Sequence, residues 1–302
     1  MELFNDNGKP VERQGRKAKG PVKWQPSHRK ESFFMKKILV FLVVLAILVA
    51  VPFSAFATSQ PLKNVDTQLA ASGLVNAVYE GNGLARIRLM VQKDGIRMFY
   101  DLRDDGEYES FPLQMGSGKY RVAILENIEG TRYRFVYSTY IDVQIEDENS
   151  VYLNSVQNIN WNDTMVAIEK AAELTEGLES DTDKINVLYN FMVDNFKYDY
   201  EKLETLESTY VPDIEDTIES GKGICYDYSA LFAAMLRSQG IPTKLVKGYT
   251  EKVKGYHAWN EVYNSETGKW MVIDTTYDSQ LKGYKNIEME KAESEYEKVY
   301  EY

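Results

Sequence analysis

The hydrophobic pattern changes period near residue 155, and this change constrains the fold more than any other feature of the chain. Upstream, apolar and polar residues alternate. Leu84-Ala85-Arg86-Ile87-Arg88-Leu89-Met90-Val91, Tyr120-Arg121-Val122-Ala123-Ile124-Leu125, Arg132-Tyr133-Arg134-Phe135-Val136-Tyr137 and Ile141-Asp142-Val143-Gln144-Ile145 each place every second side chain on one face, as half-buried strands do. Lys93-Asp94-Gly95, Asp104-Asp105-Gly106, Gly116-Ser117-Gly118 and Glu129-Gly130 are turn signals between them. Short strands at this spacing predict a small antiparallel sandwich or barrel over residues 74–154. Asp101 to Gly106 has the outline of a calcium loop, but Arg103 puts a cation where an oxygen ligand is needed, so a hairpin turn is expected. Downstream the period is helical. Met165, Ile168, Ala172 and Leu174 form one stripe. Ile185, Leu188, Tyr189 and Met192 form another, behind an N-cap region at Ser180 to Asp183. Strands followed by helices predict an α+β protein.

Neither pattern holds over the first 57 residues. Met35-Lys36-Lys37 precedes the uncharged run Ile38 to Val51, then Pro52 and the small-x-small end Ala55-Phe56-Ala57. These are the parts of a secretory signal peptide over 35–57, cut after Ala57. The alternative is an uncleaved N-terminal membrane anchor. Residues 1–34 are basic, rich in Gly and Pro and without periodicity, so they read as a disordered leader ahead of a second start at Met35. Residues 58–73 read as a linker.

Charge and cysteine content exclude whole classes of function. The chain of 302 residues has 35 Lys+Arg against 46 Asp+Glu, a net charge of -11. Without residues 1–57 the balance is 25 against 42, a net -17 over 245 residues. A chain this acidic repels phosphate backbones, so nucleic acid is not an expected partner. Cys225 is the one Cys, and beyond residue 57 His257 is the one His. An intrachain disulfide is impossible and a tetrahedral Cys/His zinc site is excluded. No cofactor is called for.

Those two residues lie in the stretch that carries chemistry. Gly221-Lys222-Gly223-Ile224-Cys225-Tyr226-Asp227-Tyr228 opens a helix over 229–239 with the apolar stripe Leu231, Phe232, Met235 and Leu236, and Gly240-Ile241-Pro242 stops it. At the helix N-terminus, unpaired N–H groups and the dipole favour the Cys225 thiolate over the thiol. Gly221 and Gly223 leave space above the sulfur. Asp227 suits a capping role. Tyr256 to Tyr263 alternates as a strand, Asn264 to Gly268 reads as a turn, and Lys269 to Asp274 is the return strand. With a four-residue loop, 264–267, His257 lies opposite Asp274 on one face. With five, the two point apart. A thiol, its base and a carboxylate that orients the base require the first register, so His257 and Asp274 are expected within hydrogen-bonding reach. The backbone N–H of Cys225 is a natural oxyanion donor. Trp259, Tyr198 and Tyr200 are candidates for a second donor or a substrate wall. Trp270 is expected to pack nearby, and Gly248-Tyr249 to line the cleft.

Gly221-Lys222-Gly223-Ile224-Cys225-Tyr226-Asp227-Tyr228-Ser229 with Leu236-Arg237-Ser238-Gln239-Gly240-Ile241-Pro242, then His257-Ala258-Trp259-Asn260-Glu261-Val262, then Trp270-Met271-Val272-Ile273-Asp274-Thr275-Thr276, resemble the transglutaminase-like superfamily in the same order. The likeness spans about residues 160–280. It implies a papain-like α+β domain, set here at 155–285, with Cys225, His257 and Asp274 as a catalytic triad acting on a protein or peptide substrate. The region 74–154 and the acidic, Tyr-rich tail 286–302 lie outside it. Positions Ala292, Tyr296, Val299 and Tyr300 make the tail either a short docked helix or a flexible end. Three activities stay open: a secreted or cell-envelope cysteine hydrolase that resolves a thioester with water, a transglutaminase that resolves it with a primary amine, and a non-catalytic envelope binding protein.

Overall fold

The alternating stretches fold as strands, and the turn residues fix how they pair. The computed structural model describes residues 62–283 and 287–302. The expected leader and signal segment, and any anchor they form, lie outside the described residues. Among those residues no helix is long and apolar enough to cross a membrane. The strands of the first half are β1 (Leu62–Asp66), β2 (Leu74–Glu80), β3 (Ile87–Lys93), β4 (Ile96–Leu102), β5 (Glu109–Pro112), β6 (Gly118–Glu129) and β7 (Arg132–Val143). They form two antiparallel sheets, of order β1-β2-β5 and β4-β3-β6-β7. Asp94 and Gly95 join β3 to β4 with φ of 49° and 84°. A two-residue hairpin needs both central residues in that region, and Asp-Gly supplies them. Leu89, Val91, Val122 and Ile124 on one sheet and Val75, Ala77 and Phe111 on the other are fully buried in one core.

Two expectations change here. The linker expected at 58–73 contains β1, because Val65 joins the core and Leu62 to Asp66 pair with β2. The segment from Asp101 to Gly106 is not a hairpin, since β4 and β5 belong to different sheets. It is a crossing turn, fixed by the Asp104 carboxylate, which accepts the N–H of Gly83 at 2.7 Å and that of Gly81.

The second half holds α1 (Val166–Thr175), α2 (Asp181–Asn195), β8 (Lys197–Tyr198), α3 (Tyr200–Thr205), α4 (Ile214–Ser220), β9 (Lys222–Gly223), α5 (Cys225–Ser238), β10 (Thr243–Thr250), β11 (Val253–Asn264), β12 (Lys269–Ile273), α6 (Thr275–Leu281), β13 (Glu290–Lys291) and β14 (Tyr296–Glu301). α5 is central. Residues 227–237 of it are all buried, so the helix is covered all round rather than on the expected single stripe, against β10 and β11 on one side and α1, α2 and α4 on the other. α2 buries the expected Ile185, Leu188, Tyr189 and Met192. α1 keeps most of the expected stripe: Ile168 is buried and Met165 and Leu174 pack on the core, while Ala172 is exposed and Ala167, Ala171 and Thr175 are buried instead. Its N-terminus is capped from outside, where Glu215 on α4 accepts the N–H groups of Val166 and Ala167 at 2.9 and 3.0 Å.

β13-β12-β11-β10-β14 is a five-stranded antiparallel sheet. The tail is therefore neither a docked helix nor a loose end. Tyr296 to Glu301 pair with β10, placing Lys247 opposite Tyr300. Without β14, β10 would expose a full row of unpaired backbone groups. The apolar core runs without interruption from the two β sheets into the helices, and Ser59–Tyr302 is one compact unit. Arg237 on α5 is buried at the junction. Its guanidinium donates to the carbonyls of Thr243 (2.9 Å), Asn154 (2.6 Å) and Tyr302 (2.9 Å), linking α5, the segment before α1 and the tail.

Candidate active site

Cys225 owes its position to what precedes it. α4 ends at Gly221 with φ 64°, β9 pairs in parallel with β8, and Ile224 is the extended N-cap of α5. Ile224 has no side-chain acceptor. Instead Asp227 reaches back to accept the Ile224 N–H at 2.9 Å, the capping role expected of it. Asp227 is fully buried, also accepts the Tyr210 hydroxyl and lies 3.0 Å from Lys202 Nζ. The glycine at 223 serves this cap more than it opens space above the sulfur: a Cβ there would lie 2.6 Å from Asp227 Cβ. The Cys225 thiol is free and half-buried.

His257 on β11 and Asp274 just after β12 share a face, by a register two residues from the expected one. Asn264 pairs with Lys269 and Asn260 with Ile273, so the loop is 265–268 rather than 264–267. It still holds four residues, and in an antiparallel pair a shift of two in the pairing keeps the facing parity. His257 Nε2 donates to Asp274 Oδ2 at 2.8 Å. Tyr296 on β14 donates its hydroxyl to the same oxygen at 3.0 Å. Asp274 Oδ1 accepts the Tyr277 N–H at 3.0 Å and caps α6. The carboxylate is fully buried and held from three directions.

Burial opposes a charge on His257, but hydrogen bonds and charge from Asp274 and Cys225 outweigh it, and the ring is pushed up to about 10. It is an imidazolium at neutral pH, donating from both nitrogens. Cys225 and His257 line one cleft of about 380 Å³ with Tyr226, Lys247, Tyr256 and Leu206. A larger cavity of about 420 Å³, near Glu109 and Gln157, holds neither residue.

The remaining expected residues divide. Tyr198 is half-buried beside Gly223, and burial first, then the charge of Cys225, pushes its hydroxyl up to about 12. Tyr200 is 63% exposed and bonds Gln280, so it lies out on the surface. Trp259 is no substrate wall. It is 1% exposed, sealed behind His257 and packed on Tyr296 with ring centroids 5.0 Å apart. The alternation of β11 turns His257 and Trp259 to the same face, but the tail covers the latter. Trp270 packs edge-on against Tyr152 and at a tilt against Tyr263 instead of at the site. Tyr249 packs on Tyr256 and is absent from the cleft lining. Among the described residues no group of three or more His, Cys, Asp or Glu is placed to hold a metal. Two residues escaped the sequence reading. Lys247 is signalled only by its place in the strand before Gly248. Tyr296 has no local signal, because its partner is 22 residues away on another element.

The backbone and the site together define a cysteine-centred α+β domain. Residues 168–275 match the model of the transglutaminase-like superfamily, so this stretch is a transglutaminase-like domain. It is preceded by antiparallel β sheets. The chain is 30% identical over 138 residues to the uncharacterised protein YebA of Bacillus subtilis, covering 38% of this chain and 17% of that protein's length. A Cytophaga hutchinsonii protein proposed to be a cysteine protease is 17% identical, with a TM-score of 0.39 over 72% of this chain and 78% of that one. A solved TGase is 27% identical, with a TM-score of 0.31 over 50% of this chain and 43% of that one.

Proposed function

We propose that the protein is an exported cysteine-dependent acyl-transfer enzyme that attacks a peptide or glutamine amide through Cys225 and resolves the thioester with water. The observation that carries this reading is the His257–Asp274 bond of 2.8 Å beside the one thiol of the chain, lining one cleft. The Cys225 thiolate attacks the carbonyl carbon while the backbone N–H of Cys225 donates to the developing oxyanion. The C–N bond breaks, and His257 gives its proton to the leaving amine. The neutral ring then takes a proton from water, which attacks the thioester. The acid leaves, and the thiolate–imidazolium pair returns. Asp274 keeps the ring in the orientation that serves both steps.

Water is favoured over an amine as the resolving nucleophile because the rim is open: Leu203, Leu206 and Tyr256 on the cleft are 47%, 38% and 49% exposed. Export rests on the segment 35–57, and a protein or peptide of the cell envelope is the expected substrate. The test is alkylation of Cys225 against pH, followed by incubation with protein substrate and a labelled primary amine. Cys225 should react with iodoacetamide at pH 6 at a rate close to that at pH 8, and His257→Ala should abolish that plateau. Substrate chains should shorten without taking up label. Label incorporated without cleavage assigns the second step to transamidation, and a thiol that reacts only near the ordinary range of about 8.5 overturns the nucleophile.

A further inference from the structure

The catalytic pair leaves one charged group of the cleft without a role. Lys247, on β10, is the only Lys or Arg in the cleft lining. Its Nζ lies 3.3 Å from the centroid of the Tyr226 ring and 5.2 Å from that of Tyr302. Two aromatic faces hold the ammonium by cation–π attraction. Among the described residues no carboxylate lies within ion-pair distance of it. Its neighbours Lys244 and Lys298, by contrast, each pair with Glu261 and Glu301. Burial lowers Lys247 to about 8, against the opposing charge of Cys225, so it remains charged at neutral pH. A partly buried ammonium without a carboxylate costs stability that a Met of similar length would avoid. The one carboxylate of the lining, Glu207, is exposed on the segment after α3. Apart from Cys225, His257 and Ser208, the rest of the lining is apolar or aromatic.

We infer that Lys247 is a specificity residue, whose ammonium receives a carboxylate carried by the substrate close to the carbonyl that Cys225 attacks. The cleft then selects acyl groups with a free carboxylate over the corresponding amides. This rests on the acyl-transfer reading above and names the substrate class of the same site. The carboxylate is either an acidic side chain or a chain terminus, and both would meet the same ammonium.

The charge at Lys247 can be read without any substrate. Iodoacetate and iodoacetamide deliver the same carbon to the single thiol and differ only in a carboxylate. The ratio of their rates, normalised to the ratio for free glutathione, should be about tenfold, the order expected for one nearby cation in partly hydrated surroundings. Lys247→Met should remove most of that preference, Lys247→Arg should keep it, and Lys247→Glu should reverse it. His257→Ala, measured alongside, separates the contribution of the imidazolium. If Lys247 only stabilised the thiolate, both reagents would slow equally and the ratio would not change. That result overturns the inference while leaving the nucleophile intact. A thiol showing no low-pH reactivity would instead overturn the catalytic reading, and the ratio would still report on Lys247.

Two peptide pools then distinguish the sources. One has acidic side chains and an amidated C-terminus, and the other a free C-terminus and no acidic side chain. Cleavage of the first pool, lost in Lys247→Met, assigns a side-chain carboxylate. The same outcome with the second assigns a terminal one. Cleavage of a fully neutral pool at an equal kcat/KM, unchanged by Lys247→Glu, overturns the inference.

Discussion

His257 carries most of the electrostatic consequence of the site, because one ring nitrogen meets a buried carboxylate and the ring interacts with a thiol. The ring sits at about 10 in the folded protein and at its ordinary 6.5 when unfolded. A raised group adds stability that is complete below the unfolded value and disappears as pH rises through the folded one. The contribution of His257 to stability should therefore decline between about pH 6.5 and 10, and it is read as the difference in slope between the wild type and His257→Gln. Urea unfolding of both proteins across this range is the measurement, and parallel slopes would contradict the assignment. Tyr296 shapes the same balance. Its hydroxyl shares Asp274 Oδ2 with His257, and burial followed by the charge of Asp274 keeps that hydroxyl protonated. The carboxylate thus faces the imidazole with both oxygens already accepting another hydrogen bond and its rotamer fixed.

Among the elements, β14 shows why part of the site could be read from sequence and part could not. The helix that presents Cys225 and the hairpin that carries His257 and Asp274 are local constructions. Their glycines, apolar stripe and alternation lie within a few residues of the groups they position. Even the misplaced loop, 264–267 for 265–268, kept its length, so the facing of His257 and Asp274 survived. Tyr296-Glu297-Lys298-Val299-Tyr300-Glu301 has no such local determinant. One side of this edge strand is wet, and its partner β10 lies about 50 residues upstream, so spacing alone fits helix as well as strand. The same contact explains the miss at Trp259, which alternation places correctly and the tail then covers. Gly248 records how closely β14 approaches. A Cβ there would run into the Glu297 carbonyl and come within 2.8 Å of the Trp259 ring. Gly248→Ala should destabilise by ~2 kcal/mol or more, through overpacking at backbone that cannot yield. It should also lower the rate of Cys225 alkylation at pH 6, since β14 cannot shift without moving Tyr296. Equal stability and equal alkylation would show that the strand is not needed to hold the carboxylate.

At the scale of the whole molecule, the question is whether the β sheets and the transglutaminase-like domain unfold separately. The change of period near residue 155 suggests two units, yet the apolar core is continuous across it. Arg237 joins three chain segments through backbone carbonyls alone, at Asn154, Thr243 and Tyr302. Burial pulls this guanidinium down to about 9, so its retention depends on those three hydrogen bonds. Met at this position would fill much of the volume and take the guanidinium donors from Asn154 and Thr243, at ~1–3 kcal/mol each, while Tyr302 keeps the Leu245 N–H. Arg237→Met should then cost ~3 kcal/mol or more. Lys should recover less than half of that, because a single ammonium cannot span three carbonyls that a planar fork reaches together. In the wild type, one calorimetric transition is expected, with equal calorimetric and van't Hoff enthalpies. Arg237→Met should lower its midpoint and split it, the tail and the segment before α1 being released from α5 ahead of the core. Two resolved transitions in the wild type would mean instead that the shared core is too weak to couple the halves, and that the β sheets stand beside the transglutaminase-like domain without supporting it.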